Sequence, residues 1–528
     1  MSEEKLNIID ELKKNDVSFY CLLIVLAISV GGGFVFSFTT QVVCFILLSL
    51  SFSFVFVKKS FEPKSALIVL LPLVAAAVSY LGADFQANVR IALIALLNAT
   101  IAFFAASYAD ERNKENILIT LAVLGLWVSG MMFASVLSGR PGTDKNFSLN
   151  INIVAGFLLL VYPFNFGFVE KGKNSKIFLV AAFIVFTAIM ATKSRSAIIS
   201  AYFVTVFYFI KLKRTTALKI FAAVTTAVFL AGFVYAVRSK IGWESFSDRL
   251  MWWKTALIMF KDWPLFGLGF GNFSALYLFY RPELTLNTMF AHNIVLQLLA
   301  ETGVFGLAAF AAAAFTVSKN IFDRIKSAGE AAPYIKAAFV SAAIFVCLNL
   351  SDYSFFVPSN MLVLYVIAGT AFTLTLSERK KRILALLIFI PALYLIYVFT
   401  ASVKAKNYYE EGNFLYNEGK YEQAVKMYEQ AAQNDEKNPV YWHQLSDTIY
   451  NLAVIESAPE KRKQYINKAI ESDSKAEGRY YHSAEIKAEL AFLYKLSGDE
   501  AKSSEYAELA RKYDKFNPYM RAGMKQKK

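Results

Sequence analysis

The sequence predicts an all-α chain: a polytopic transmembrane helical bundle of about thirteen spans, followed by a C-terminal domain of helical repeats. Three observations predict it. Of 528 residues, 56% are hydrophobic and 18% charged, where an average soluble protein has roughly 45–50% and about 25%. The apolar residues gather in runs of 17 to 22 that recur up to about residue 402, and such runs read as membrane-spanning helices. The basic excess belongs to the same region. Residues 403–528 hold 21 Lys and Arg against 20 Asp and Glu, a net of +1, so +13 of the total +14 lies in 1–402.

This composition excludes a soluble enzyme, a disulfide-stapled secreted domain and a disordered chain. Cys21, Cys44 and Cys347 all lie inside apolar runs, so they argue for neither a disulfide framework nor a metal site. The basic excess reads as loop charge that orients a membrane protein, and no nucleic-acid partner is expected.

The chain opens with a polar segment, 1–16, MSEEKLNIIDELKKND. It begins with acids and is expected to be cytoplasmic, not a cleaved signal, which would have a basic start and a short apolar core. Spans are expected at about 17–38, 40–57, 66–83, 89–108, 117–138, 151–169, 177–192, 196–211, 218–236, 293–317, 334–350, 358–376 and 383–402. Each needs about 20 residues to cross roughly 30 Å of hydrocarbon at about 1.5 Å per residue. Alternate loops carry Lys58, Lys59, Lys64; Arg112, Lys114; Lys171, Lys173, Lys176; Lys211, Lys213, Arg214, Lys219; Lys319, Arg324, Lys326; and Arg379 to Arg382, 19 cations in all. The intervening short loops carry five: Arg90, Arg140, Lys145, Lys193 and Arg195. Positive residues stay cytoplasmic, so the N-terminus is expected inside. An odd number of spans then puts segment 237–292 and the domain 403–528 outside.

Chemistry is expected in 237–292, which closes the transmembrane domain's large outer loop. It holds four of the six tryptophans, Trp243, Trp252, Trp253 and Trp263, a residue that favours the membrane–water interface. Ser247 can cap a helix over about 248–262, with Leu250, Trp253, Leu257 and Phe260 as one apolar stripe lying on the bilayer. Arg249 and Lys254 would then sit at phosphate height. Trp263-Pro264 stops that helix, and Gly267, Gly269 and Gly271 form a turn. The turn lacks the Lys-Ser/Thr of a Walker loop, though glycines let a backbone approach a phosphate closely.

His292 is the only histidine of the membrane region, at the start of the tenth span. It reads either as structural or as a base. The dipole of the following helix is expected to lower its pKa, leaving a neutral imidazole able to take a proton from a hydroxyl. Arg195 lies in a very short outer turn, Thr192-Lys193-Ser194-Arg195-Ser196. Arginine at membrane depth costs roughly 2.5–3.5 kcal/mol unless partnered. It reads either as snorkelling to the interface or as a fork holding two phosphate oxygens. Arg195, Arg249 and His292 together suit an anionic substrate anchored in the outer leaflet, such as a lipid-diphosphate sugar. No pair of acids has metal-site spacing, and no cofactor is expected. Asp352 and Glu301 are the acids to watch, Glu301 as a structural group bonding another helix.

From Val403 the sequence turns polar with helical periodicity. Gly412, Ala424, Tyr428 and Ala431, with Gly419 and Tyr421, resemble a tetratricopeptide repeat, a helix–turn–helix of about 34 residues. Trp442, Leu445 and Ala469 mark a second segment, and Ala488, Leu490, Tyr494, Gly498, Tyr506, Ala510 and Pro518 a third. About three repeats share one continuous core; a plain helical bundle is the other reading. His443 and His482 read as surface or packing residues. Such stacks bind peptides or proteins, so a protein partner is expected here.

The ordered motifs carry a resemblance. Ser194-Arg195-Ser196, Asp248-Arg249 with Trp252-Trp253, Pro264-Leu265-Phe266-Gly267-Leu268-Gly269 with Asn272-Phe273, Ala291-His292-Asn293, and Glu301-Thr302-Gly303 with Gly306 resemble the O-antigen ligase and O-antigen polymerase superfamily over about 190–310. The resemblance implies a C-type glycosyltransferase-like bundle in a bacterial inner membrane, independent of metal. The donor it implies is an undecaprenyl-diphosphate glycan on the periplasmic face. It makes Arg195 and Arg249 the diphosphate holders and His292 the base that activates the acceptor hydroxyl, with inversion at the anomeric carbon. Lys254 and Arg281 are secondary diphosphate candidates. The repeat tail is similar to tails on some protein O-oligosaccharyltransferases, which leaves lipid A core, a protein Ser/Thr and a growing glycan as acceptors. A lipid-linked glycan transporter or flippase, and a membrane-anchored repeat scaffold, are the alternatives.

Overall fold

The structure, a computed structural model, describes residues 17–31, 38–58, 63–138, 150–172, 175–212, 216–238, 243–327, 329–373 and 381–517. The expected cytoplasmic segment 1–16, the cations Lys59, Arg140, Lys145, Lys173, Lys213, Arg214, Arg379 and Lys380, and Pro518 lie outside the described residues. Among the described residues the chain is helical throughout, with no strand. The membrane helices are α1 (Val17–Gly31), α2 (Phe38–Lys58), α3 (Pro63–Leu81), α4 (Gln86–Tyr108), α5 (Glu111–Leu137), α6 (Ile151–Glu170), α7 (Ser175–Ala191), α8 (Arg195–Lys211) and α9 (Thr216–Arg238). The loop helices α10 (Trp243–Asp262) and α11 (Phe273–Tyr280) follow, then α12 (Ile294–Ser327), α13 (Ala332–Leu348) and α14 (Pro358–Ala371). Among the described residues, each predicted span overlaps a helix. By length and composition, α4, α5, α6 and α12 can cross a bilayer. The protein is a polytopic helical membrane protein.

The packing follows from lipid being the outer solvent. α6 is buried nearly all round, with Tyr162, Phe164, Phe166 and Phe168 in the core. The outer helices keep apolar side chains exposed: Leu67 and Val74 on α3, Val123 and Trp127 on α5, Phe203 and Phe207 on α8. That outward apolar surface would aggregate in water and is at home in hydrocarbon. Some buried polar groups pair inside, as where Tyr162 Oη and Thr205 Oγ1 lie 2.7 Å apart.

Charges gather at the two ends. At one, Glu111 pairs with Lys114 (3.3 Å) and Arg324 and accepts from Tyr334 Oη (3.1 Å), while Glu115 pairs with Lys171 (2.9 Å) and Glu170 with Lys211 (2.7 Å). These residues come from the loops predicted to lie inside. The other end holds Asp84, Arg90, Arg195, Arg249, His292 and Asp352.

α15 (Lys381–Asn417) runs without interruption through position 403 into the tail. The tail continues as α16 (Tyr421–Asn434), α17 (Pro439–Ile455), α18 (Pro459–Glu477), α19 (Ala484–Ser497) and α20 (Glu500–Tyr513). Its helices pack in three consecutive pairs, α15 with α16, α17 with α18 and α19 with α20. Gly412 lets the Tyr428 ring lie against the α15 backbone, where a Cβ would stand 2.7 Å from it. His443 and His482 are half-buried packing residues, one of the two readings expected of them. His443 Nδ1 lies 2.8 Å from the buried Asp473, and His482 Nδ1 lies 2.9 Å from Asp84, on the loop before α4.

Candidate active site

The site is assembled where α10, the start of α12 and the loop 349–357 meet. His292 stands two residues ahead of α12 with a left-handed backbone, φ 54°, which costs a non-glycine residue roughly 1–2 kcal/mol. Its flanks enforce this. Ala291 N donates to Gln297 Oε1 (2.7 Å), and Ile294 N donates to Asn349 O (2.8 Å). Asn293 Oδ1 caps α12 by accepting from Val295 N (3.0 Å) and Leu296 N (3.1 Å), and its Nδ2 donates to Leu350 O (3.0 Å).

α10 brings the next two groups. It starts at Trp243, so Ser247, the expected cap, lies inside the helix. The outward stripe of Phe246, Leu250 and Leu257 is exposed, while Ala256 and Met259 are buried, so α10 has a bilayer-facing side and a packed side. Arg249 and Trp252, three residues apart, share a face. The Trp252 ring stacks on the His292 imidazole at 4.6 Å, and Tyr353 meets the imidazole edge-on at 4.7 Å. Trp252 Nε1 is held by Leu286 O (3.2 Å).

Burial, and then the charge of Arg249, push the His292 pKa down to about 4. The direction is the expected one, and burial and the Arg249 cation both act in it. His292 lies outside α12, ahead of its cap, and beside a cation. Arg249 is itself lowered by burial first, with Arg195 adding to the shift and Asp352 opposing it. Arg195 is exposed at the first position of α8, after a turn in which Lys193 has φ 57° and Ser194 N donates to Thr192 Oγ1 (3.2 Å). Ser351 Oγ meets Ser196 Oγ at 3.1 Å, which ties the Asp352 loop to that turn. Asp352 is 2% exposed, and its Oδ1 accepts from Tyr353 N (2.6 Å), Ser354 N (2.9 Å) and Ser354 Oγ (2.6 Å). Burial still raises its pKa.

His292 Nδ1, Arg249 Nε and Trp253 Nε1 are buried and have no hydrogen-bond partner among the described residues. Each such atom costs roughly 1–3 kcal/mol, and two of them, on the neighbouring His292 and Arg249, suit a site held ready for something other than folding. No three His, Cys, Asp or Glu side chains form a metal-ligand group among the described residues.

The glycine-rich turn packs against protein backbone. α12 is broken at Gly303 (φ 65°, ψ −168°), and the turn fills the break. Leu268 N donates to Ala300 O (3.0 Å), Gly269 N to Glu301 O (3.0 Å), and Val304 N to Pro264 O (2.9 Å). A Cβ on Gly267 would strike the Glu301 backbone, and one on Gly303 the Leu265 backbone. Glu301, as expected, is structural. Its Oε1 accepts from Gln297 Nε2 (3.0 Å) and Phe273 N (3.1 Å).

Of the residues read from the sequence, the structure brings His292, Arg249 and Arg195 within electrostatic reach. Lys254 is exposed on α10. Arg281 is buried and turned to the tail, paired with Asp514 Oδ1 at 2.7 Å. Sequence reasoning missed Tyr353, whose only signal is its place beside Asp352 in a short loop without Lys or Arg.

A multi-pass helical membrane protein with a buried, cation-flanked imidazole at one end is the class that fold and site define. Residues 180–311, which span Arg195, Arg249 and His292, match the family model described as O-antigen ligase. This segment is similar to the O-antigen ligase family, and the match supports a membrane glycosyltransferase or ligase activity at the general level. No protein of curated function matches it significantly.

Proposed function

We propose that the chain moves a glycan from an undecaprenyl-diphosphate carrier to an acceptor hydroxyl at the extracytoplasmic face of a bacterial plasma membrane, without a metal. The nearness of Arg249 to His292, with Arg195 acting on Arg249, is the observation that supports this most directly. Guanidinium forks suit diphosphate oxygens. Neutral above about pH 4, His292 takes the acceptor O–H proton while the acceptor oxygen attacks the anomeric carbon. The anomeric C–O bond to the diphosphate breaks, and its electron pair leaves on the phosphate oxygen held by the arginines. Attack opposite the diphosphate inverts the anomeric carbon. A bound diphosphate also offsets the field of Arg249, so the imidazole becomes more basic when donor is in place.

The 19-to-5 loop asymmetry supports an inside N-terminus and an outside tail. We read the tail's helix pairs as tetratricopeptide-like and as the surface for a protein partner. The acceptor is a lipid, a glycan or a protein. A transporter would use a broken helix at the bilayer midplane as its binding site. Here the chain's own turn fills the break at Gly303, which favours the enzyme.

The test uses full-length protein in liposomes with a lipid-diphosphate oligosaccharide. A general base contributes roughly 10²–10⁴-fold, so His292→Ala and Arg249→Ala should lose at least about 100-fold in transfer at normal insertion. Full transfer by both variants would reject the reading.

A further inference from the structure

The tail reaches the base through a chain of contacts. Asp514, just beyond α20, and Arg281, just beyond α11, are both buried, each side chain 5% exposed. Asp514 Oδ1 lies 2.7 Å from Arg281 Nη2, and Arg281 Nη1 donates to Asn287 Oδ1 at 3.2 Å. Asn287 belongs to the loop 281–293 that ends at His292. One residue before Asn287, the Leu286 carbonyl accepts from Trp252 Nε1 (3.2 Å) and Tyr277 Oη (3.3 Å). Trp252 in turn stacks on His292.

The tail is clamped where this chain of contacts begins. Tyr480 Oη donates to Ala275 O, and the Tyr480 ring stacks on Phe85 at 4.8 Å. Phe279 lies against Tyr513 (5.0 Å) and His482 (4.8 Å). The Arg281–Asp514 pair is thus enclosed between α11 and the tail. A buried ion pair gives little net stability, because desolvation opposes the attraction. Its geometry, two hydrogen bonds from one guanidinium to two segments, fixes orientation instead.

We propose that Asp514 is a positioning residue for the transfer reaction. Through Arg281 and Asn287 it holds the 281–293 loop in the conformation that keeps Trp252 stacked on His292. This rests on the reading of His292 as the base. It also gives Arg281 a role inside the protein, in place of one on the substrate.

The experiment measures two quantities on the full-length chain in liposomes: transfer kinetics with a lipid-diphosphate oligosaccharide, and the rate at which diethyl pyrocarbonate modifies each histidine, read by peptide mass spectrometry. Asp514→Asn is expected to lower kcat about tenfold, with KM for the donor within about twofold. It should raise the modification rate at His292 severalfold and leave that at His443, inside the tail, unchanged. Should His443 modification also rise, the tail itself has loosened, and Asn287→Ala decides, because it leaves the ion pair in place. The same rise at His292 in Asn287→Ala supports the proposal, and no rise overturns it. Unchanged kcat and unchanged His292 modification in Asp514→Asn also overturn it. If His292→Ala keeps full transfer, the reading of the base fails. If that variant is inactive while Asp514→Asn behaves as wild type, the positioning role alone fails.

Discussion

At His292, burial and a neighbouring cation produce a neutral imidazole, and both are testable. Arg249 is the second cause of the lowered His292 pKa. Removing its charge lets the protonated ring form more easily, so the pKa rises from about 4 toward its ordinary value. The residual transfer of Arg249→Gln should therefore lose its base form at higher pH than wild type. Its kcat/KM profile should show an acid limb shifted upward, and an unshifted limb would separate the two residues. Arg249→Lys keeps the charge and loses the planar fork, so its transfer should fall at least about tenfold. The residues of this site were legible in the sequence because His292 is the only histidine of the membrane region and Arg195 and Arg249 are rare outer cations. The contacts were not legible, since Trp252 and Tyr353 reach His292 from segments 40 residues behind and 61 ahead.

Among the elements, α12 and the turn 263–272 depend on each other. The sequence marks Gly267 and Gly303 plainly but gives no hint of what approaches them. A phosphate and a peptide backbone ask the same thing of a glycine, and here the backbone of a broken helix takes the place. Gly303→Ala would force alanine into a left-handed conformation, about 1–2 kcal/mol, and press a methyl group into the Leu265 backbone. It should lower the thermal midpoint of the detergent-solubilised protein by several degrees, and an unchanged midpoint would contradict the interlock. The membrane helices α4, α5, α6 and α12 were readable because their apolar runs are near bilayer length. The start of α10 was not, because Ser247, which could have capped a helix, lies inside one.

Across the whole molecule, the tail docks on the membrane helices by Arg90 with Asp435 (2.6 Å), His482 with Asp84 (2.9 Å) and Arg281 with Asp514 (2.7 Å). The periodicity from residue 403 made the tail's helices legible. Its docking was not, because each pair joins residues more than 200 positions apart. Burial raises the Asp84 carboxyl, but His482 and the backbone N–H groups of 481 and 482 hold it below the usual range. A depressed carboxyl stabilises docking above its ordinary pKa, and the contact is lost as pH falls through the lowered value. Limited proteolysis should therefore find the tail protected at neutral pH and more readily cut below about pH 4, and Asp84→Ala should release it at neutral pH. Equal cutting of Asp84→Ala and wild type would remove this contact from the account. The central claim is that two arginines hold the donor's diphosphate while one histidine takes the acceptor's proton, and binding measured apart from turnover tests it most directly. With a fluorescent lipid-diphosphate oligosaccharide, His292→Ala should bind the donor as wild type does and transfer at least about 100-fold more slowly, while the Arg195→Ala, Arg249→Ala double variant should fail to bind. Donor binding that survives loss of both arginines, or transfer that survives loss of His292, would contradict the account.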